Sequence, residues 1–342
     1  MVPTADEQVQ FLLKIQRLLG EGLFTATYKY ALLLALADLA LELGDDSGEA
    51  LELNTYKIGE KFVEYYWRQT LPFLGKDVLL QNKGKAPVVV TLLLHARTKY
   101  GDHLADAKLD GPRWQRLVDR VAGNVRKMPL QFLQNIGRQS LPFLYDPPAG
   151  TAPTIIHLYP GVAYCLRRFH GLVTDLVQAA WVRWVHQQNL ALIGDKTDLH
   201  EFLFGAERGQ LSAIRNVLQD LQRGACFYCH REMRAQEVDH FVPWVLYPLD
   251  LGHNFVLAHP ECNLAKRDLL ASEEHLAAWV ERNHAYGDAL GHEYDRVRVM
   301  HDITSTKRIA RWAYASASTT GGLTWKSKQD LVVLTGEWDR LL

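Results

Sequence analysis

"CFYCHREMRAQEVDHFVPWVLYPLDLGHNFVLAHPEC", residues 226–262, decides how this chain is read. It opens on a hook of two thiols, Cys226 and Cys229, and closes on His259 and Cys262, which repeat the same spacing. Between the hooks, "EVDHFVPW" (237–244) sets Asp239 and His240 inside a short apolar run. Ionisable groups in such a run cost free energy unless something pairs with them, and a metal ion is one such partner. The hooks supply four soft ligands, Cys226, Cys229, His259 and Cys262, a set that suits structural zinc. Four protein ligands leave no open position, so this zinc is expected to hold the fold rather than to do chemistry. Burial as small apolar groups would account for the cysteines singly, but not for two hooks around one run.

Working outward, 342 residues are enough for two domains, or for one domain with an appended module. Hydrophobic residues make up 48% and charged residues 23%, an ordinary globular composition. Lys plus Arg total 38 against 39 Asp plus Glu, so any surface for an anionic partner has to be a local patch. The most apolar run, "YALLLALADLALEL" (30–43), is broken by Asp38 and Glu42 and is too short to span a bilayer. "MVPTADEQVQ" (1–10) lacks the regions of a signal peptide, so a cytoplasmic location without membrane association is expected. The four cysteines, at 165, 226, 229 and 262, then read as metal ligands rather than disulfides, with Cys165 a buried small residue. Eight of the fourteen histidines fall between 230 and 301, which concentrates the expected chemistry there.

Apolar residues at helical spacing predict helices over 7–19, 27–43 and 58–74. "VVVTLLLHA" (88–96) fits strand or helix equally, and "PRWQRLVDRVAGNVRK" (112–127) reads as a helix with Pro112 in its first turn. Turn residues and a short strand, "TIIHLY" (154–159), interrupt the pattern within 141–163, and helix returns over 161–189. "QLSAIRNVLQDLQRG" (210–224) carries one apolar face and stops at Gly224, the preferred module boundary. The C-terminal stretch 306–342 reads as a helix, a Gly-Gly turn and a second helix. The fold class expected is mainly α with a small α+β module: a helical region over 1–223, a module over 224–290, and a C-terminal helical extension over 291–342 packing on the rest.

Within the module, residues 237–242 read as a strand, 243–254 as a loop, 255–258 as a strand, and a helix starts near 261. The acid–His pair Asp239–His240, Asn254 in "GHNFVLAH", and Asn263 followed by Lys266 in "ECNLAKRDLL" accompany these elements. Over residues 224–272 the chain resembles the HNH endonuclease family, with its ββα-metal fold; His259 departs from the cysteine common at that position. The resemblance implies a metal-dependent hydrolase of DNA phosphodiester bonds. Hydrolysis needs a water deprotonated near neutral pH and stabilisation of charge on the phosphate. His240 is suited to the first task, and Asp239 and Asn263 offer hard oxygen ligands to one catalytic Mg²⁺ or Mn²⁺. Strict alternation points Asp239 and His240 to opposite faces, so a bulge or strand end is expected between them. Asn254 resembles the family's central Asn, whose implied role is to position the His-bearing loop. Lys266, one turn after Asn263, is placed to contact a phosphate.

Other residues divide between chemistry and scaffold. His253 reads as an exposed loop residue, His230 as solvated, Asp250 as part of a turn with Gly252, and His275 as structural. Arg113, Arg116 and Arg120 make one helical face basic, either a nucleic-acid-binding stripe or a solvated face paired with Asp119 and nearby acids. Arg167, Arg168 and His170 raise the same choice, whereas the aromatics of "FVEYYWRQ" and "AAWVRWVH" read as core. By analogy, the N-terminal region would select a target, sense a signal or bind a protein partner, and the setting would be bacterial restriction or phage defence. RNA is the alternative substrate, a non-catalytic module binding nucleic acid or a partner is the alternative function, and a homodimer would suit double-strand cutting.

Overall fold

The computed structural model describes residues 1–22, 24–84, 87–137, 139–148, 153–193, 199–205 and 211–342. Turn residues expected at 149–152 and Gln210, the start of a predicted helix, lie outside them. The chain is mainly helical with small two-stranded sheets, and it separates into two compact units, Met1–Gly205 and Ala206–Leu342. The helix predicted at 210–224 therefore belongs with the second unit.

The first unit contains α1 (Ala5–Glu21), α2 (Tyr28–Leu43), β1 (Leu51–Asn54), α3 (Thr55–Gln69), α4 (Val88–Tyr100), α5 (Leu104–Leu109) and α6 (Gly111–Lys127). It continues with α7 (Pro129–Phe132), β2 (Asn135–Ile136), β3 (Gln139–Ser140), β4 (Ile155–Leu158), α8 (Val162–Arg168), α9 (His170–Gln188) and α10 (Leu199–Phe204). The ambiguous "VVVTLLLHA" is helical. Pro87 stands just before it, where a missing N–H costs nothing.

Helix α2 is apolar on every side and buried along most of its length, so it forms the axis of this unit. Helices α3, α8 and α9 pack on it, and Tyr66, Trp67 and Trp181 fill the core. The two acids of α2 survive burial because both are paired: Asp38 accepts from Tyr65 Oη (2.6 Å) and faces His170 Nε2 (2.9 Å), while Glu42 accepts from Lys61 Nζ (2.5 Å). The exposed carbonyls at the end of α2 go to Arg167, which donates to Leu41 O (2.8 Å) and Gly44 O (3.0 Å) and pairs with Asp46 (2.7 Å). Arg167 and His170 are thus buried scaffold and not phosphate contacts. Cys165 is buried as expected, and burial pushes its thiol up to about 11, away from nucleophilic use.

The second unit contains α11 (Leu211–Gln222), β5 (Glu237–His240), β6 (Phe255–Ala258), α12 (Pro260–Lys266), α13 (Glu273–Arg296) and α14 (Ile303–Thr319). A hairpin of β7 (Leu323–Trp325) and β8 (Leu331–Val333) and the short α15 (Trp338–Leu341) end the chain. The hairpin replaces much of the second C-terminal helix read from the sequence. "LTW" and "LVV" pair across a turn tightened by Ser327 and Asp330, and Trp325 exchanges backbone hydrogen bonds with Leu270 and Ser272 (2.8 Å each). Strands β5 and β6 are antiparallel, with Asp239 opposite Val256 and His240 opposite Phe255, and α12 follows β6 directly. Beneath them lie Phe241, stacked on Trp279 at 4.9 Å, and the buried Tyr228, Tyr294 and Tyr314.

Candidate functional site

The two hooks of the sequence come together. The ligand atoms of Cys226, Cys229, His259 and Cys262 all lie within 4.8 Å of one another, a cluster that can hold a zinc-like metal ion. His259 Nδ1 stands 3.3 Å from Cys229 Sγ, while its Nε2 lies 3.1 Å from the carbonyl of Glu232. An Nε2–H donating to that carbonyl fixes the tautomer that turns the Nδ1 lone pair inward, as a metal-ligating histidine requires. Backbone geometry assists. His230, exposed as expected, takes a positive φ of 58° to turn the chain back after Cys229, and Pro260 starts α12 so that Cys262 falls in its first turn.

The cluster lies at one end of the β5–β6 pair and His240 at the other. Strand β5 stops at His240, two residues short of the strand read from the sequence, and with no bulge between them Asp239 and His240 point to different surroundings, as alternation alone dictates. Asp239 is buried. Its Oδ2 accepts from Tyr228 Oη (2.5 Å) and pairs with Lys266 Nζ (3.1 Å). That lysine, expected to contact a phosphate, has no exposed surface and spends its ammonium on Asp239 and on the carbonyl of His240 (2.9 Å). Burial draws its proton affinity below the usual lysine range, against the pull of Asp239.

His240 packs against Phe255 with ring centres 4.6 Å apart, and its Nε2 lies 2.7 Å from Asp250 Oδ1. The two side chains retain 20% and 19% exposure, enough for water to reach them. A neutral ring that donates Nε2–H to Asp250 keeps Nδ1 free to accept a proton. Asp250, a turn residue by its sequence, lies ten positions downstream in a loop, so its partnership with His240 has no local signature.

Asn254 ties the chain immediately after His240: Val242 N donates to its Oδ1 (2.8 Å) and its Nδ2 donates to Val242 O (2.9 Å). Asn254 is in turn held from α13, where Arg282 donates to the carbonyls of His253 and Phe255 (2.6 Å each). His253, expected to be exposed, is buried. Its Nε2 donates to Gly287 O (2.9 Å), and burial lowers its proton affinity to about 4. Gly252 makes this turn possible, since a Cβ there would lie 2.5 Å from the Tyr294 ring. His275 is buried scaffold, 3.0 Å from Lys326 O.

Asn263 is half-buried and donates from Nδ2 to Glu237 Oε2 (2.9 Å). Asp239 and Asn263 therefore sit in two separate pairings rather than in one shared contact. Glu237 and Asp239 lie on the face of β5 that α12 covers.

In the first unit, α4 and α6 enclose a groove of about 350 Å³, lined by His95, Lys99, Arg113, Arg116 and Arg120. Lys99 and Arg113 both pair with Asp110 (2.8 Å each). Arg116 and Arg120 are exposed and engage no described residue, Asp119 included. Of the three arginines of the stripe, Arg113 is thus paired while Arg116 and Arg120 are open.

Comparison of the chain with protein-family models, with curated proteins and with solved structures finds no match.

Proposed function

We propose that the second unit is a metal-dependent endonuclease of the HNH kind that hydrolyses DNA phosphodiester bonds. The observation that carries this reading is the water-accessible His240–Asp250 pair at the end of β5. In the proposed reaction His240 Nδ1 takes a proton from the attacking water, and Asp250 orients the ring and stabilises the imidazolium that results. Asp239 and Asn263 would hold a magnesium or manganese ion, which when bound supplies charge stabilisation at the phosphate. Asn254 fixes the backbone after His240, and Arg282 fixes Asn254, so the base is held by two layers of hydrogen bonds. Zinc in the Cys226–Cys229–His259–Cys262 cluster would clamp the opposite end of the sheet. Arg116 and Arg120 of the first unit supply open cations for the nucleic-acid backbone.

One observation favours a second reading, a module that binds nucleic acid without cutting it: Lys266 already neutralises Asp239. Nicking of supercoiled plasmid by zinc-loaded protein, with Mg²⁺ or Mn²⁺ added, separates the two. Ion-dependent cutting that vanishes in His240→Ala supports the nuclease. Equal cutting by that variant removes His240 from its role, and gel-shift binding without cutting of DNA or RNA establishes the binding module.

A further inference from the structure

The first unit holds a second concavity, about 530 Å³, lined from the starts of α2 and α4 and the α6–α7 junction. This volume is within the range of small-molecule sites. Its walls divide cleanly by chemistry. Among the described lining residues Lys29 supplies the cation, Asn82, Asn124 and Asn135 supply neutral amides, and Met128 and Phe132 lead the apolar side. Among the described residues no carboxylate lines it.

Two features of the walls ask for an occupant. Lys29 is half-buried and pairs with no described carboxylate; its described neighbour is the Phe24 ring, 5.5 Å from the ammonium. Burial alone lowers its proton affinity to about 8, the response of an ammonium removed from water with no counter-charge. At the rim, Val88, Met128 and Phe132 keep 55%, 52% and 43% of their surface exposed, a contiguous apolar lip. A cation with no described carboxylate partner above an uncovered apolar wall is complementary to an amphiphilic anion.

We propose that this pocket binds a small organic monoanion with a flat apolar body, its acid group on the Lys29 ammonium and its body against Met128 and Phe132. The asparagine amides then serve whatever hydrogen-bonding groups the body carries. The proposal makes the first unit a ligand-binding domain and stands independently of the nuclease reading.

The test is calorimetric titration of the full chain with 2-naphthoate and with its uncharged counterpart, 2-naphthamide. The wild-type protein is expected to bind naphthoate about tenfold more tightly than naphthamide, the value of one charge-assisted contact. Lys29→Met should remove that preference, Lys29→Arg should keep most of it, and Phe132→Ala should weaken both probes. Equal binding of the two probes by the wild type overturns the proposal, as does failure of naphthoate to bind. A preference that survives Lys29→Met in a variant with unchanged circular dichroism overturns it too.

Discussion

Replacing Lys266 by methionine is the sharpest test of how the candidate site is built. The ammonium has no exposed surface and is held by Asp239 at 3.1 Å and by the His240 carbonyl at 2.9 Å. Methionine keeps the apolar stem and removes the charge, leaving the Asp239 carboxylate buried with Tyr228 Oη as its remaining described partner. Removing one member of a buried ion pair costs about 3–5 kcal/mol. The surviving phenol bond, charge-assisted and short, places the expected loss near 3 kcal/mol. Asp239→Asn combined with Lys266→Met removes both charges together and should cost only about 1–2 kcal/mol, less than Lys266→Met alone. Urea titration followed by zinc release to a chromophoric chelator reports the second unit separately from the first. A loss under about 1 kcal/mol for Lys266→Met, or a double variant less stable than the single, would refute the claim that this pair is buried and mutually dependent. The same reasoning warns that Asp239→Ala perturbs folding as well as any bound ion, so its effect on cutting has to be read beside its stability.

Loss of the zinc-like site should be felt as unfolding of the second unit. Cys229→Ser or prolonged chelation is expected to remove most of that unit's cooperative transition, because structural zinc contributes about 10–16 kcal/mol in small modules; a metal-free variant with an unchanged melt would reject the site's structural role. His253 predicts a pH dependence of defined sign. Its proton affinity falls from 6.5 to about 4 on burial, so the folded state prefers the neutral ring. Stability is then complete above about pH 6.5 and falls with acidification towards pH 4, by about 2 kcal/mol at pH 5. His253→Gln should lose about that much less between pH 7 and pH 5 in urea titrations, and an identical pH profile would exclude His253 as the cause.

What the sequence made legible were the contacts carried by spacing. Cys226, Cys229, His259 and Cys262 announce one another because metal geometry demands soft ligands in pairs, and α2 announces its burial by being apolar all round. The opposite facing of Asp239 and His240 followed from alternation. Contacts carried by the fold were silent. Asp250 and Glu237 are ordinary acids until a loop and a helix bring them to His240 and Asn263, and Lys266 reads as a phosphate contact because its carboxylate partner lies across the β5–α12 contact. The C-terminal hairpin was hidden for the same reason. Its strands are too short to show a period, and they exist because residues 270–272 offer Trp325 a backbone edge.

The side chain of Asn254 also changes what the loop before it is free to be. By pairing with both backbone groups of Val242, it stands in for one more rung of the β5–β6 ladder and closes the loop at its neck. Chain length around the exposed Val245 is thereby uncoupled from the backbone at His240, provided the part of the loop that carries Asp250 is kept. Doubling a closed loop costs only about 0.6 kcal/mol. This stretch is therefore a port where evolution, or a designer, can graft segments that read new targets while the groups behind the neck stay in place.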